Sequence, residues 1–287
     1  MPDFRARIAD GLARAGEHAA LAVVPVLFAL LYVEKLQSIV AFDGVHLGVR
    51  SGLPLSVVTV WQFVTVPSSG VSVNAGAPVQ LLPLAFVTVP VLVVAQTALT
   101  AGYFGSIRNA LDREPYQFVA NSRRYFLPFL VLTALPYLVA VPAALGVFGL
   151  GSITGDIGVA ALPVLLLGLV VSVVVSYLFY ATPYLLVLRD TGLVAAARQS
   201  YTLAVQGGPY AAYAVGFALF VLVVSPFATA VVVNIPFLGA LVGVLAGGYL
   251  GLGANVATMR FVADVDPGSS VTTNWAADPP DSDTDHE

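Results

Sequence analysis

Long apolar runs alternate with short polar or charged stretches along most of the chain. A predominantly apolar stretch of about 20 residues is long enough to cross a bilayer as an α-helix. The pattern therefore predicts six transmembrane helices, over residues 19–36, 81–107, 125–148, 159–188, 209–233 and 237–261.

Three shorter segments carry apolar and polar residues on different helical faces. In one of them Leu193 and Ala197 share a face, while Arg198 lies on another. Helices of this kind lie in the membrane interface, and we predict them over residues 3–17, 113–124 and 193–206. Each precedes two predicted spans, which indicates three pseudo-repeats. The repeats cover residues 3–107, 113–188 and 193–262, with Arg108 and Arg189 at matching positions.

The connection between the first two spans, residues 41–80, is the only long one. Its stretch Ser56–Val66 is rich in β-branched and aromatic residues, and a turn sequence at 67–70 leads to a second such stretch, Val71–Val73. We predict a small extracytoplasmic β-hairpin there. Trp61 would rest on the membrane interface or cap the spans, and ligand binding is the alternative to this packing role.

Composition agrees with a membrane protein. Of 287 residues, 58% are hydrophobic and 10% are charged, and the mean hydropathy is +0.90. Soluble domains carry about 25% charged residues. There is no cysteine, which excludes disulfides and thiolate chemistry.

Seven of the 16 acidic residues follow residue 262, so we expect a single membrane domain over 1–262 and an acidic disordered tail over 263–287. The tail fits a high-salt host or an ordinary disordered segment.

Basic residues are distributed unevenly between the two predicted faces. Ten arginines fall on one side, and only Lys35 and Arg50 fall on the other. The positive-inside bias then predicts a multi-pass cell-membrane protein with both termini and all three amphipathic helices in the cytoplasm. Arginines on the cytoplasmic side attract anionic lipids or a membrane-protein partner; the alternative is that they only set topology. The candidate contact residues are Arg108, Arg123, Arg124, Arg189 and Arg198.

The last span carries a ridge of small residues. Four glycines recur at intervals of four, and an asparagine continues the series: Gly239, Gly243, Gly247, Gly251 and Asn255. Small residues at this spacing let helix backbones approach closely. We predict helix packing within the same chain, with homodimerisation as the alternative.

The segments TPYLLVLRDTGLVAAARQSYTLAVQGGPY and YFGSIRNALDREPYQFVANSRRYF resemble a set of uncharacterised haloarchaeal six-span membrane proteins. More distantly, the layout is similar to the membrane domain attached to some bacterial glycerophosphodiester phosphodiesterases, where an A…R-x-S helix joins two spans. Here the corresponding residues are Ala197, Arg198 and Ser200. The chemistry of that family resides in a separate soluble barrel, so the resemblance implies a six-span fold and carries over no catalytic residue.

Candidate chemistry is sparse. The predicted span interiors contain no Asp, Glu, Lys, Arg or His, which disfavours a proton-driven pump. Asp43 and His46 would supply only half of a metal site. We therefore expect no enzyme activity, no cofactor, no metal and no nucleic-acid partner.

The leading functional hypothesis is a non-enzymatic protein that organises membrane lipids or a membrane-protein partner. The alternative is a transporter or permease for a small, apolar solute. The sequence leaves the oligomeric state open.

Overall fold

The computed structural model describes residues 3–54, 56–67, 82–154, 162–235 and 237–271. These residues form ten α-helices and no β-strand. The helices are α1 Phe4–Glu17, α2 Val23–Leu31, α3 Val33–Val40, α4 Leu82–Leu111, α5 Phe118–Thr154, α6 Leu162–Phe179, α7 Thr182–Leu188, α8 Leu193–Gln206, α9 Pro209–Asn234 and α10 Leu238–Val265.

Four segments of these helices are long and apolar enough to cross a membrane: Pro90–Leu111, Leu166–Leu188, Pro209–Asn234 and Leu238–Val265. A fifth is added if Phe4–Glu17 and Ala19–Leu31, which meet at 100°, count as one bent span. The predicted all-helical class with membrane-length apolar helices is thus confirmed at this level.

Of the segment predicted as a separate interfacial helix, residues 113–124, only residues 118–124 are helical, and they are part of a longer helix. α5 begins at Phe118 and continues without a break through the predicted third span to Thr154. No glycine or proline lies between Phe118 and Leu127, so nothing there ends the helix. In contrast, α8 and α9 are separated by Gly207 and Gly208, which both have positive φ.

The first predicted span, residues 19–36, is divided into three pieces. A 3₁₀ turn over Ala19–Ala22 leads into α2, and the chain leaves helical geometry at Tyr32 before α3 begins. Asp3 precedes α1 and caps it, because its carboxylate accepts the Ala6 N–H at 2.8 Å.

The strand predicted over Ser56–Val66 is wrong. These residues contain a 3₁₀ turn, Val60–Gln62, and otherwise irregular backbone. They enter the helical bundle, where helix side chains bond their backbone and replace a partner strand. The second predicted strand, residues 71–73, lies outside the described residues.

α10 occupies the centre of the bundle. Every residue from Gly251 to Ala263 is buried. Glycines on several faces of α10 let its neighbours approach: Gly253 contacts Leu12 of α1, and Gly248 contacts Val26 of α2. Such contacts position the helix to bond several other elements at once.

α10 also extends beyond the predicted start of the tail. It ends at Val265, and the Ser270 N–H and hydroxyl both donate to the Leu188 carbonyl, at 3.1 and 2.7 Å. Val271 is buried. Residues 263–271 are therefore folded onto the bundle, and the rest of the predicted tail, 272–287, lies outside the described residues.

Candidate functional site

Residues 46–67, which we call the inserted segment, run along α9 into the bundle. The His46 N–H donates to Asn234 Oδ1 at 2.7 Å, and Asn234 Nδ2 donates to the His46 carbonyl at 3.0 Å. Farther along, the Arg50 N–H donates to Ser225 Oγ at 2.9 Å. Asn234 ends α9, and Ser225 lies nine positions earlier, about 13 Å along the helix axis. The segment therefore penetrates well below the end of the helix.

Asn255 of α10 holds the deepest turn of the inserted segment. Its Oδ1 accepts the Val58 N–H at 2.9 Å and the Tyr103 hydroxyl at 3.2 Å. Its Nδ2 donates to the Ser56 carbonyl at 2.9 Å and to the Tyr184 hydroxyl oxygen at 2.8 Å. The side-chain amide offers two donors and two acceptor positions, and all four are used. Asn255 is fully buried, so it fixes this turn inside the protein.

The returning arm is bonded to both α9 and α2. The Thr65 N–H donates to Thr229 Oγ1 at 3.1 Å, and His46 Nε2 lies 3.1 Å from Thr65 Oγ1. Trp61 Nε1 donates to the Ala29 carbonyl at 2.8 Å, just before the helix breaks at Tyr32. Irregular backbone at membrane depth requires such partners, because bilayer hydrocarbon offers none.

The glycine ridge of α10 faces two surfaces of the same chain. Gly239 and Gly243 lie against α9, whereas Gly247 and Gly251 lie against the inserted segment. A methyl group on Gly251 would overlap the Val58 carbonyl oxygen. The predicted ridge thus accommodates irregular backbone as well as a helix, and its five residues lie in one line that ends at Asn255.

The ends of α1, α4, α7 and α10 meet at what we call the charged end of the bundle. There Arg189 Nε donates to an Asp266 oxygen at 2.7 Å, and Arg7 lies 2.6 Å from Asp264. Arg260 pairs with Asp10. Arg7 and Arg260 are buried, and an opposite charge offsets the cost of removing each from water.

Three of the five predicted contact arginines bind groups of their own chain. Arg189 pairs with Asp266, and Arg124 Nε donates to Asp190 at 2.9 Å. Arg108 lies 3.4 Å from Asp112 and donates to the Ser270 hydroxyl at 3.3 Å. These three arginines therefore join elements of the bundle.

The other two, Arg123 and Arg198, are exposed at the same end. Within the described part of the chain, neither forms an ion pair or a side-chain hydrogen bond.

Asp190 has an unusual backbone and a perturbed pKa. Its φ is 50°, in the left-handed region, where it ends the turn after α7. The hydrogen bond from Arg124 lowers its pKa below the usual 3.8. Asp190 therefore stays ionised and keeps the turn attached to the start of α5.

The described residues bring no three His, Asp or Glu side chains together in a way that could hold a metal ion. His46, half of the weak metal motif, contacts Thr65 and Asn234 instead.

Sequence reasoning named Asn255 and the glycines but missed Ser225 and Thr229, two residues of α9 that bond the inserted segment. Ser225 and Thr229 are buried one turn apart on an apolar helix, and this spacing is the signal that would have indicated a polar line. Comparison with protein-family models, curated proteins and solved structures finds no match to this chain.

Proposed function

We propose that this chain is a non-enzymatic, multi-pass protein of the cell membrane that organises anionic lipids at its charged end. The observation that supports the proposal is the contrast among its arginines. Most at this end contact their own chain, whereas Arg123 and Arg198 are exposed and without a partner among the described residues. Cations in such positions attract anionic headgroups at roughly 1 kcal/mol each.

The proposal includes six spans and cytoplasmic termini. In addition to the four candidate spans, residues 19–36 and the 37-residue α5 would supply the remaining crossings. The positive-inside bias would place the charged end in the cytoplasm.

Topology is testable because the chain has no native cysteine. Single cysteines at Val45 and Gln117, both exposed and at opposite ends, would be treated with an impermeant maleimide on intact cells. We expect labelling at Val45 only; labelling at Gln117 only would reverse the orientation.

The lipid proposal is tested by removing the free charges. We expect the detergent-purified double variant Arg123→Gln/Arg198→Gln to bind phosphatidylglycerol in mixed micelles about thirtyfold more weakly, the equivalent of about 2 kcal/mol. The double Arg→Lys variant keeps the charge and is the matched control. Unchanged binding by the glutamine variant would contradict the proposal and favour a role in topology alone.

In an alternative form of this proposal, the same arginines bind acidic residues of a membrane-protein partner. Native mass spectrometry of the gently extracted protein separates the two cases. A retained lipid at fixed stoichiometry supports lipid organisation, whereas a retained protein supports the partner.

Transport of a small solute is the second candidate. It is favoured by the inserted segment, since transporters form binding sites where irregular backbone lies inside the membrane. Ser56, at the deepest turn, is exposed even though Asn255 beside it is buried. A Ser56→Cys variant labelled from either side of reconstituted vesicles would support a path. Protection from both sides, together with no solute uptake, would exclude it.

A further inference from the structure

The residues that follow α10 fold back onto the turn between α7 and α8. We call residues 266–271 the C-terminal strap. Its Ser270 N–H and hydroxyl both donate to the Leu188 carbonyl. Asp266 and Val271, at its two ends, are buried. Three of the residues between them are exposed: Pro267, Gly268 and Ser270. The strap is therefore a surface segment that is anchored at both ends.

Donors from two other elements surround the Asp266 carboxylate. Arg189 Nε donates to one of its oxygens at 2.7 Å and Arg189 Nη2 to the other, and Gln199 Nε2 donates at 3.1 Å. The Asp266 side chain has no exposed surface, whereas 28% of the Arg189 side chain is exposed. A guanidinium presents a planar pair of donors that fits two oxygens of a carboxylate or of a phosphate. Asp266 thus occupies a position that a phosphate group would also fit.

The strap also covers other parts of the arginines beneath it. A methyl group on Gly268 would lie 2.6 Å from Arg189 Cζ, so the Gly268 backbone lies against the guanidinium. Arg108 Nη2 donates to the Ser270 hydroxyl at 3.3 Å. Arg108 Nε is buried and has no hydrogen-bond partner among the described residues. The strap therefore lies over donor groups of two arginines, one of which retains an unused donor.

The strap is placed so that it can detach without the helices. It follows the last helix, and opening of a short surface segment costs less free energy than unfolding of the bundle. Detachment would free the donors of Arg189 and Arg108, so an anion that binds them would compete with Asp266. Five more acidic residues follow between positions 278 and 287. An anionic membrane surface repels such residues, which favours detachment.

We propose that Arg189, with Gln199 and Arg108, forms a binding site for a phosphate group, and that the C-terminal strap closes this site with Asp266 as the competing anion. The phosphate belongs either to an anionic lipid headgroup or to a soluble phosphate ion. In the first case the inference rests on the lipid proposal above and adds a closed state to the charged end. Its test is separate, because it uses residues other than the two exposed arginines.

Detachment of the strap can be followed with a single cysteine, since the chain has none of its own. Val271 is 3% exposed and becomes accessible when the strap opens. The rate at which Val271→Cys reacts with a maleimide would be measured in detergent-purified protein. The additions are inorganic phosphate, sodium chloride at the same ionic strength, and phosphatidylglycerol in mixed micelles. Ala196→Cys, buried in α8, is the matched control for opening of the whole bundle.

We expect labelling of Val271→Cys to rise about tenfold with a ligand at about ten times its dissociation constant for the open form. Labelling of Ala196→Cys should not change. A rise with inorganic phosphate identifies a soluble anion, whereas a rise with phosphatidylglycerol alone identifies a lipid headgroup. The proposal is overturned if neither ligand exceeds the effect of sodium chloride, or if Ala196→Cys reacts as fast as Val271→Cys.

Three substitutions separate a binding site from a strap that is only structural. Asp266→Asn removes the competing charge, and Gly268→Val keeps every charge but places side-chain atoms against Arg189. Both should be labelled faster without ligand and should bind the ligand about fivefold more tightly, because the open fraction rises. Arg189→Gln also frees the strap but should bind the ligand more weakly than Asp266→Asn.

Equal ligand binding by all three variants and the parent would overturn the proposal, because the strap would then have a structural role only. Phosphatidylglycerol binding that depends on Arg123 and Arg198, without any response of Val271→Cys, would overturn this inference and leave the lipid proposal intact. In each variant, an unchanged labelling rate of Ala196→Cys shows that the bundle is folded.

Discussion

Asn255 shows how much one side chain contributes to this structure. It bonds backbone groups of the inserted segment and hydroxyl groups of two other helices at the same time. The sequence indicated Asn255 only as the end of a glycine series. It could not identify the partners, because the nearest bonded backbone group lies 197 positions away.

Replacement of Asn255 by leucine should leave several buried polar groups without partners. We expect the free energy of unfolding to fall by about 3–5 kcal/mol, since each unsatisfied buried group costs about 1–3 kcal/mol and the losses are not additive. The measurement is unfolding of the detergent-solubilised protein by a denaturing surfactant. Thr202→Ala, which removes an exposed hydroxyl bonded within its own helix, is the control. A loss no larger than that of the control would contradict the role assigned to Asn255.

The lowered pKa of Asp190 predicts that the protein loses stability in acid. Because its folded pKa is lowered by Arg124, its contribution is fully present above the usual value of 3.8 and is lost as pH falls through the lower folded value. Thermal unfolding between pH 6 and pH 3 should therefore depend less on pH in Asp190→Asn than in the parent. Asparagine tolerates the positive φ, so the backbone is preserved. If the unfolding temperature changed equally with pH in both proteins, the Arg124–Asp190 pair would contribute nothing to stability.

Among the secondary-structure elements, two helix ends share one design. Two residues after its last residue, each of α4 and α7 is followed by a residue of positive φ, Arg113 or Asp190, and then by a hydrogen bond back across the last turn. These bonds join Glu114 N–H to the Asn109 carbonyl and Thr191 N–H to that of Leu186, at 2.8 and 3.2 Å. This is the Schellman arrangement. The two ends match at an offset that differs by about one turn from the predicted pairing of Arg108 with Arg189, since Arg108 lies inside α4 whereas Arg189 follows α7. The pseudo-repeats themselves stay a prediction.

The existence of the long apolar helices was predictable, because their composition leaves no other stable arrangement in a membrane. The path of residues 46–67 was not. β-Branched and aromatic residues such as Val58 and Trp61 favour strands, but tertiary hydrogen bonds from α9 and α10 override that local preference. The close approach of α4 and α5 was also missed. Gly102 and Gly105 are only three apart, and they face Phe118 and Asn121.

A pair of glycine substitutions tests how closely α10 and the inserted segment pack. A methyl group at Gly251 would overlap the Val58 carbonyl, so Gly251→Ala should destabilise the protein by about 1–3 kcal/mol. Gly168 of α6 has no neighbour within 4 Å of an added methyl group. Gly168→Ala should be neutral or stabilising by up to about 1 kcal/mol, because alanine favours helix. Similar unfolding curves for the two variants would refute the packing described here.

In the whole molecule, the charged end connects both ends of the described chain. α1 is joined to α10 by Arg7–Asp264 and Asp10–Arg260, and Asp266 is joined to Arg189 after α7. The first helix, the middle of the chain and the last helix are thereby bonded through ion pairs at one end.

Two truncations test where the folded part ends. A chain ending at Val271 keeps all of these contacts and should unfold like the parent. A chain ending at Ala263 loses the carboxylates that pair with Arg7 and Arg189, and we expect it to be less stable by about 3 kcal/mol or more. Surfactant-induced unfolding of both chains is the measurement. Equal stability of the two truncated chains would show that residues 264–271 are dispensable.

The inserted segment also sets an order of events during synthesis. Its turn is bonded by Asn255, up to 199 positions later in the chain. At about 5–20 residues per second, that separation corresponds to roughly 10–40 seconds of translation. During this interval the backbone groups that bond α9 and α10 lack their partners and have to remain in contact with water or with the insertion machinery. Docking of this segment is therefore a late step of biogenesis, which follows the arrival of the last helix.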